Sequence, residues 1–348
     1  MKSTGMTSME RVFTALSHKE PDRVPMFLLL TMHGAKELGL TIKEYFSKAE
    51  YVVEGQLRLR RKYNNDCLNP FFYAALETEA FGGEVIFRED GPPNSGLPCI
   101  ADIEMIRYLD PPTVKESKML HRVLKAIELL KEKSRDTVPI IGVVMSPFSL
   151  PVMQLGFDKY IEVMHFHPDL FNKLMQVNKT FCIEWANAQI KAGATAICYF
   201  DPVSSTTIIP PEWYHKTGYE IARQTLASIK GPTATHFASG FCLPIIDYVA
   251  KTGTAAIGIS SMEDLSQLKH ACKNRLTLLG NLNGIEMRRW SKDQAREKVI
   301  SVIQAAAAGG GFILSDNHGE IPWQVSDETL HIISDTVMNH GVYPLKQS

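Results

Sequence analysis

Lys191-Ala192-Gly193-Ala194-Thr195-Ala196-Ile197-Cys198-Tyr199-Phe200-Asp201-Pro202 carries a complete structural transition. The amphipathic run Pro168–Ala192 before it opens on a proline suited to a first helical turn, and Gly193 is a natural residue just past a helix end. Ala196–Phe200 is short, apolar and β-rich, and Asp201-Pro202 stops it with turn chemistry. Helix, glycine, apolar strand and polar turn make one unit of a parallel α/β fold.

The same unit recurs in both directions along the chain. Apolar runs at 25–31, 139–145, 233–237, 255–259, 276–280 and 311–314 each end in polar or small residues, and helical stretches such as Ala49–Tyr63, 262–273 and 292–308 lie between them. Continuous apolar strands alternating with helices indicate a parallel sheet covered by helices. The predicted fold is an α/β (β/α)8 TIM barrel, with residues 1–348 as one domain, an N-terminal extension and an irregular insertion after the first strand, at about 64–112. A length of 348 residues suits one elaborated barrel as well as two smaller domains.

Composition excludes several function classes. The balance of 37 Lys+Arg against 38 Asp+Glu argues against a general nucleic-acid binder, which needs a basic excess or patch. The first 20 residues lack the apolar core of a secretory signal. The longest early apolar run, 24–32, falls well short of the ~20 residues of a membrane span. Six dispersed cysteines, none within three residues of another, form no disulfide framework and no C-x-x-C pair, so a reduced cytoplasmic setting is expected. No H-E-x-x-H, G-x-S-x-G, phosphate loop or dinucleotide fingerprint occurs.

Catalytic groups of such barrels lie at the C-terminal ends of the strands. His236 and His318 each follow a strand and are expected to face one mouth, where with Asp201, Asp316 or Glu320 they form candidate ligands for zinc. Asp201 can equally be a general base, a substrate anchor or a turn-stabilising cap. The catalytic candidates are Asp201, His236 and Glu320, and the metal candidates are His236 and His318. Met32, His33, Met145, Phe148, Ser204, Asn281 and Asn283 are candidate substrate contacts. Each Ser or Asn among them has a helix cap as its alternative, and each Met has ordinary core filling. A mouth rich in Met and Phe suits a flat aromatic ligand.

Several segments together resemble the uroporphyrinogen decarboxylase superfamily. They are Met9-Glu10-Arg11-Val12, Pro21-Asp22-Arg23-Val24-Pro25, Glu77-Thr78-Glu79-Ala80-Phe81-Gly82, Ser146-Pro147-Phe148, Ala192-Gly193-Ala194 with Asp201-Pro202, Gly280-Asn281-Leu282-Asn283 and Gly310-Gly311-Phe312-Ile313-Leu314. The resemblance spans nearly the whole chain. Where the decarboxylase branch carries an arginine-rich stretch for porphyrinogen carboxylates, this chain reads Leu30-Thr31-Met32-His33-Gly34-Ala35-Lys36. It is more similar to the corrinoid-dependent methyltransferases. In the thiol-activating branch of that group the zinc ligands are His-x-Cys and a later Cys; His236 matches, but Ala238 and His318 stand at the two cysteine positions. The resemblance therefore implies methyl transfer from a methoxylated aromatic or similar small donor (O-demethylation) to the cobalt of a corrinoid (cobalamin) on a separate corrinoid-binding protein. It implies no nucleic-acid or membrane partner, with zinc and a homodimer as further expectations. The alternatives are methyl transfer from corrinoid to a thiol or folate, uroporphyrinogen decarboxylation, and a non-enzymatic barrel.

Overall fold

In a computed structural model, described for residues 5–345, the chain forms the expected barrel. The extreme ends of the two terminal segments lie outside the described residues. Six parallel strands run in chain order: β3 (Ile141–Met145), β4 (Ala196–Phe200), β5 (Thr233–His236), β6 (Ala256–Gly258), β7 (Thr277–Leu282) and β8 (Phe312–Asp316). They are preceded by a two-stranded antiparallel hairpin of β1 (Val85–Ile86) and β2 (Asn94–Ser95).

Two short staves close the ring. Met26 bridges in parallel to Leu314 of β8, and Leu68 bridges in parallel to Ile140 beside β3. The two staves meet through residues 26 and 66: Asp66 N–H donates to the Met26 carbonyl at 2.8 Å, and Met26 N–H donates to the Asp66 carboxylate at 2.9 Å. Next to them the Asn65 side-chain amide stands in for a peptide. It accepts from Leu28 N–H at 2.9 Å and donates to the Leu28 carbonyl at 3.1 Å. Side chains thus complete the ladder where backbone pairing is short.

This corrects the sequence reading in one respect. The segment Asn64-Asn65-Asp66-Cys67-Leu68-Asn69-Pro70 falls inside the insertion expected at about 64–112, yet it contains the second stave. The irregular excursion therefore follows the second stave, not the first. It holds the helix Ala75–Ala80, the β1–β2 hairpin and the 3-10 segment Ile103–Tyr108.

The N-terminal extension is the helix Ser8–Leu16, opened by a capping box between Thr7 and Glu10. Its Val12 and Leu16 reach into the base of the barrel. Arg11, on the same helix, pairs with Asp22 at 2.6 Å and with Asp66 at 2.7 Å, and Arg23 pairs with the other Asp66 oxygen at 2.7 Å. The Asp66 side chain is 1% exposed, and those of Arg11 and Arg23 are 10% and 13% exposed. Removing one partner of a buried ion network strands the remaining charges. Asp66→Ala is therefore expected to lower unfolding free energy by about 3–5 kcal/mol, read by urea denaturation. A loss below about 1 kcal/mol would contradict this role.

Candidate active site

Side chains alternate across each strand, so one set points into the barrel and the other out toward the helices. Outward residues such as Val144, Ile197 and Tyr199 are fully buried. Inward residues are the more accessible ones: Ile141 and Val143 on β3, Ala196, Cys198 and Phe200 on β4, and Ala234 on β5 all keep exposed surface. They line a cavity of about 240 Å³ together with Phe27, Leu29, Cys67, Leu279 and Ile313. Its base is formed by Val12 and Leu16. Over its mouth lie Asn69, Phe71, Pro92, Pro93 and Asn94, with His236, His318, Gly319 and Glu320 on the polar side. No lysine or arginine lines it, and Glu320 is its one carboxylate, among the described residues.

The strand ends position the polar groups. His236 closes β5 and stacks on Phe200 of β4, with ring centroids 5.4 Å apart and an interplanar angle of 22°. A Cβ on Gly258 of β6 would lie 2.3 Å from the His236 ring, so only glycine there lets the imidazole seat. His236 Nδ1 accepts a hydrogen bond from the N–H of Ala238 at 3.0 Å, while Nε2 is buried and unpartnered. With Nδ1 accepting, the neutral ring carries its proton on Nε2. Burial, with His318 nearby, pushes the His236 pKa down to about 4, so the ring is a neutral donor at physiological pH.

The turn after β8 carries the other groups. Asp316 ends the strand and accepts from the N–H groups of His318 and Gly319, both at 3.0 Å. Gly319 has φ +90°, and a Cβ there would lie 2.7 Å from the Phe200 ring. The Asn317 amide, oriented so that both its ends are satisfied, accepts from Ser261 and donates to Leu282 O and to His318 Nδ1 at 2.6 Å. Burial pushes Asp316 up to about 6. Burial, and then the neighbouring Asp316 charge, push Glu320 up to about 8, and its Oε1 has no partner. Glu320 lines the cavity, and its raised pKa favours the protonated form at neutral pH.

Of the positions expected from sequence, His236, His318 and Glu320 converge on the cavity; the others do not line it. Asp201 lies buried between Ser146 Oγ at 2.5 Å and Ser149 Oγ at 2.7 Å, tying the turns after β3 and β4 together. Met32 and Met145 are core residues, the latter donating its N–H to buried Glu77 at 2.8 Å. His33 is buried 6.0 Å from Trp323, and burial pushes its pKa down to about 3. Phe148 packs edge-on against Tyr160 and Phe171 behind the barrel wall. Ser204 is fully buried. Asn281 donates to Ser260 O at 3.0 Å, and Asn283 caps the helix Gly284–Met287.

Zinc does not fit the histidines as they stand. A ligating imidazole binds metal through one nitrogen and donates its other N–H outward. Here both outer nitrogens, Nδ1 of His236 and Nδ1 of His318, are acceptors. Among the described residues no three His, Cys, Asp or Glu side chains form a group able to hold a metal ion. Sequence reading missed Phe200, Cys198, Cys67 and Gly319. A signal was present in β4, where the small inward residues Ala196 and Cys198 alternate with the bulky outward Ile197 and Tyr199.

A parallel barrel with a hollow interior and an acid–imidazole pair at its C-terminal mouth has the anatomy of a barrel enzyme. Residues 7–340 match the family model described as Uroporphyrinogen decarboxylase (URO-D), and the chain belongs to that family. Curated relatives named uroporphyrinogen decarboxylase are similar at modest identity. That of Psychromonas ingrahamii is 22% identical, covering 94% of this chain and 96% of its own. That of Cupriavidus necator is 26% identical over 84% of this chain and 83% of its own. The barrel also superposes on a methyltransferase from Methanosarcina mazei with a TM-score of 0.80, at 19% identity, covering 96% of this chain and 99% of the other. A B12-independent methionine synthase from Shewanella matches at a TM-score of 0.54 and 12% identity, over 91% and 93% of the two chains. Among the described residues no helix is long and apolar enough to cross a membrane.

The raised Glu320 pKa has a signed consequence. An unfolded glutamate ionises near pH 4.3, so Glu320 favours the folded state fully below that value. The advantage is lost as pH rises through about 8. Isotope-edited infrared spectroscopy is expected to show a carboxyl titrating near pH 8 that disappears in Glu320→Gln. The variant should also lose less thermal stability than the native chain between pH 6 and pH 9. A carboxyl titrating below pH 5 would refute the assignment.

Proposed function

We propose that this chain is the donor-side enzyme of a corrinoid-dependent methyl transfer, removing a methyl group from a small methoxylated aromatic. The observation that supports this most is the presence of Glu320 and His236 together in the lining of an otherwise apolar cavity, where burial raises the pKa of the acid and lowers that of the imidazole. Neutral donors and no cation suit an uncharged acceptor oxygen, such as that of an aryl ether. A porphyrinogen with several carboxylates would meet no arginine or lysine in this lining.

An ether oxygen leaves poorly as an alkoxide or phenoxide, and a positioned acid contributes ~10²–10⁴-fold to such a step. His236 Nε2–H orients the oxygen, while the apolar walls hold the ring and exclude water. The methyl–oxygen bond breaks with its electron pair moving to oxygen, and the Glu320 proton converts that oxygen to a phenol. The methyl acceptor is the reduced corrinoid of a separate protein, which supplies the nucleophile when docked. Exposed Ile208, Phe241 and Met262, on the loops after β4, β5 and β6, give the mouth an apolar rim that supports such docking.

Incubating the purified chain with reduced cobalamin and guaiacol tests this reading. Catechol and methylcobalamin are expected in equal amounts. Glu320→Gln should lower kcat at least a hundredfold, and the native rate should fall as pH rises past about 8. Turnover of uroporphyrinogen with no demethylation, or an undiminished rate in Glu320→Gln, would refute it.

A further inference from the structure

TIM-barrel interiors are ordinarily filled by layers of bulky branched side chains. Here Phe27, Leu29, Leu279 and Ile313 fill the side formed by the first stave, β7 and β8. The opposite wall contributes Ala196 and Cys198 from β4, Ala234 from β5 and Ala256 from β6. The space is therefore off-centre, against β4–β6. It runs past the mouth to residues at the strand starts, including Thr233 and Ala255, and ends at Val12 and Leu16 of the N-terminal helix. Strands of 4–5 residues, at ~3.3 Å per residue and tilted as in closed barrels, make it about 11–13 Å deep. Its polar groups lie at the mouth, apart from Thr233 at the base and the weakly polar thiols Cys67 and Cys198. Burial pushes the Cys198 thiol up to about 12, so no anion forms on that wall.

We propose that the barrel lumen is a binding channel for the apolar tail of the substrate. Resting on the donor-side reading, it makes the preferred donor an amphipathic molecule: its ether oxygen sits between His236 and Glu320, and an alkyl substituent runs down the β4–β6 wall toward Val12 and Leu16. A single unsubstituted ring leaves the lower lumen unfilled. Each methylene buried there adds about 0.8 kcal/mol, or roughly a fourfold gain in affinity.

Calorimetric titration with guaiacol and its 4-methyl, 4-ethyl and 4-propyl derivatives, with no methyl acceptor present, tests the channel. The dissociation constant is expected to fall about fourfold per added carbon. Ala234→Leu, which fills the wall, should flatten the series while its melting temperature stays at or above the native value. Ala196→Val serves the same purpose if that variant does not fold. A native series without chain-length dependence, or one unchanged in folded filling variants, would overturn the channel. Because no acceptor is present, failed demethylation leaves this gradient standing, and a flat native gradient leaves demethylation of guaiacol standing.

Discussion

Asp66 is the group on which the barrel closes. Its peptide N–H and its carboxylate both bond residue 26, and the same carboxylate takes Arg11 from the N-terminal helix and Arg23 from the approach to the first stave. One buried anion thus joins two staves too short to make a full ladder and fixes the helix that floors the lumen. Two cations on one carboxylate leave an excess of positive charge, and Asp22 offsets it through Arg11 at 2.6 and 2.7 Å. In the segment Met9-Glu10-Arg11-Val12, Glu10 caps the helix, Arg11 anchors it and Val12 plugs the barrel. A network of this kind gives register more than net stability, since desolvation offsets much of its Coulomb energy.

The mouth depends on the direction of two hydrogen bonds. Ala238, at φ +52°, turns its N–H onto Nδ1 of His236, and this leaves the proton of the neutral imidazole on Nε2. Asn317 does the same for His318. The donor at residue 238 is a backbone N–H, so it is the left-handed turn, not the side chain there, that fixes the His236 tautomer. Asp316 then serves twice, holding the turn through two backbone N–H groups and raising the pKa of Glu320 through its charge.

The regular βα units were legible because each paired a helical period with a continuous apolar run that ended in small or polar turn residues. The second stave was not, because a single bridge at Leu68 has no period and the polar residues beside it are there for cross-stave bonds. His236, His318 and Glu320 were legible from their place after strands. Asp201 follows β4 in the same manner, yet its carboxylate turns aside to two serine hydroxyls. Position after a strand tells which end of the barrel a residue occupies but not which way its side chain points. Phe148 and Met145 escaped correct placement for a related reason: an apolar residue near a mouth reads the same whether it faces the lumen or the helical shell.

On β3–β5 the outward face is sealed beneath helices while inward residues stay open to the cavity. An interior left unfilled forfeits packing energy that bulky side chains on β4–β6 would recover. The same emptiness places Glu320 and His236 against apolar space instead of water, and low polarity is what holds one protonated and the other neutral. Filling the lumen with permanent side chains would keep the groups dry but leave no room for a substrate beside them. Flooding it would return the carboxyl toward its ordinary acidity. A ligand that is apolar along its length and carries one acceptor oxygen at its end meets both demands: it recovers the forfeited contacts and keeps the acid protonated at the oxygen that must leave.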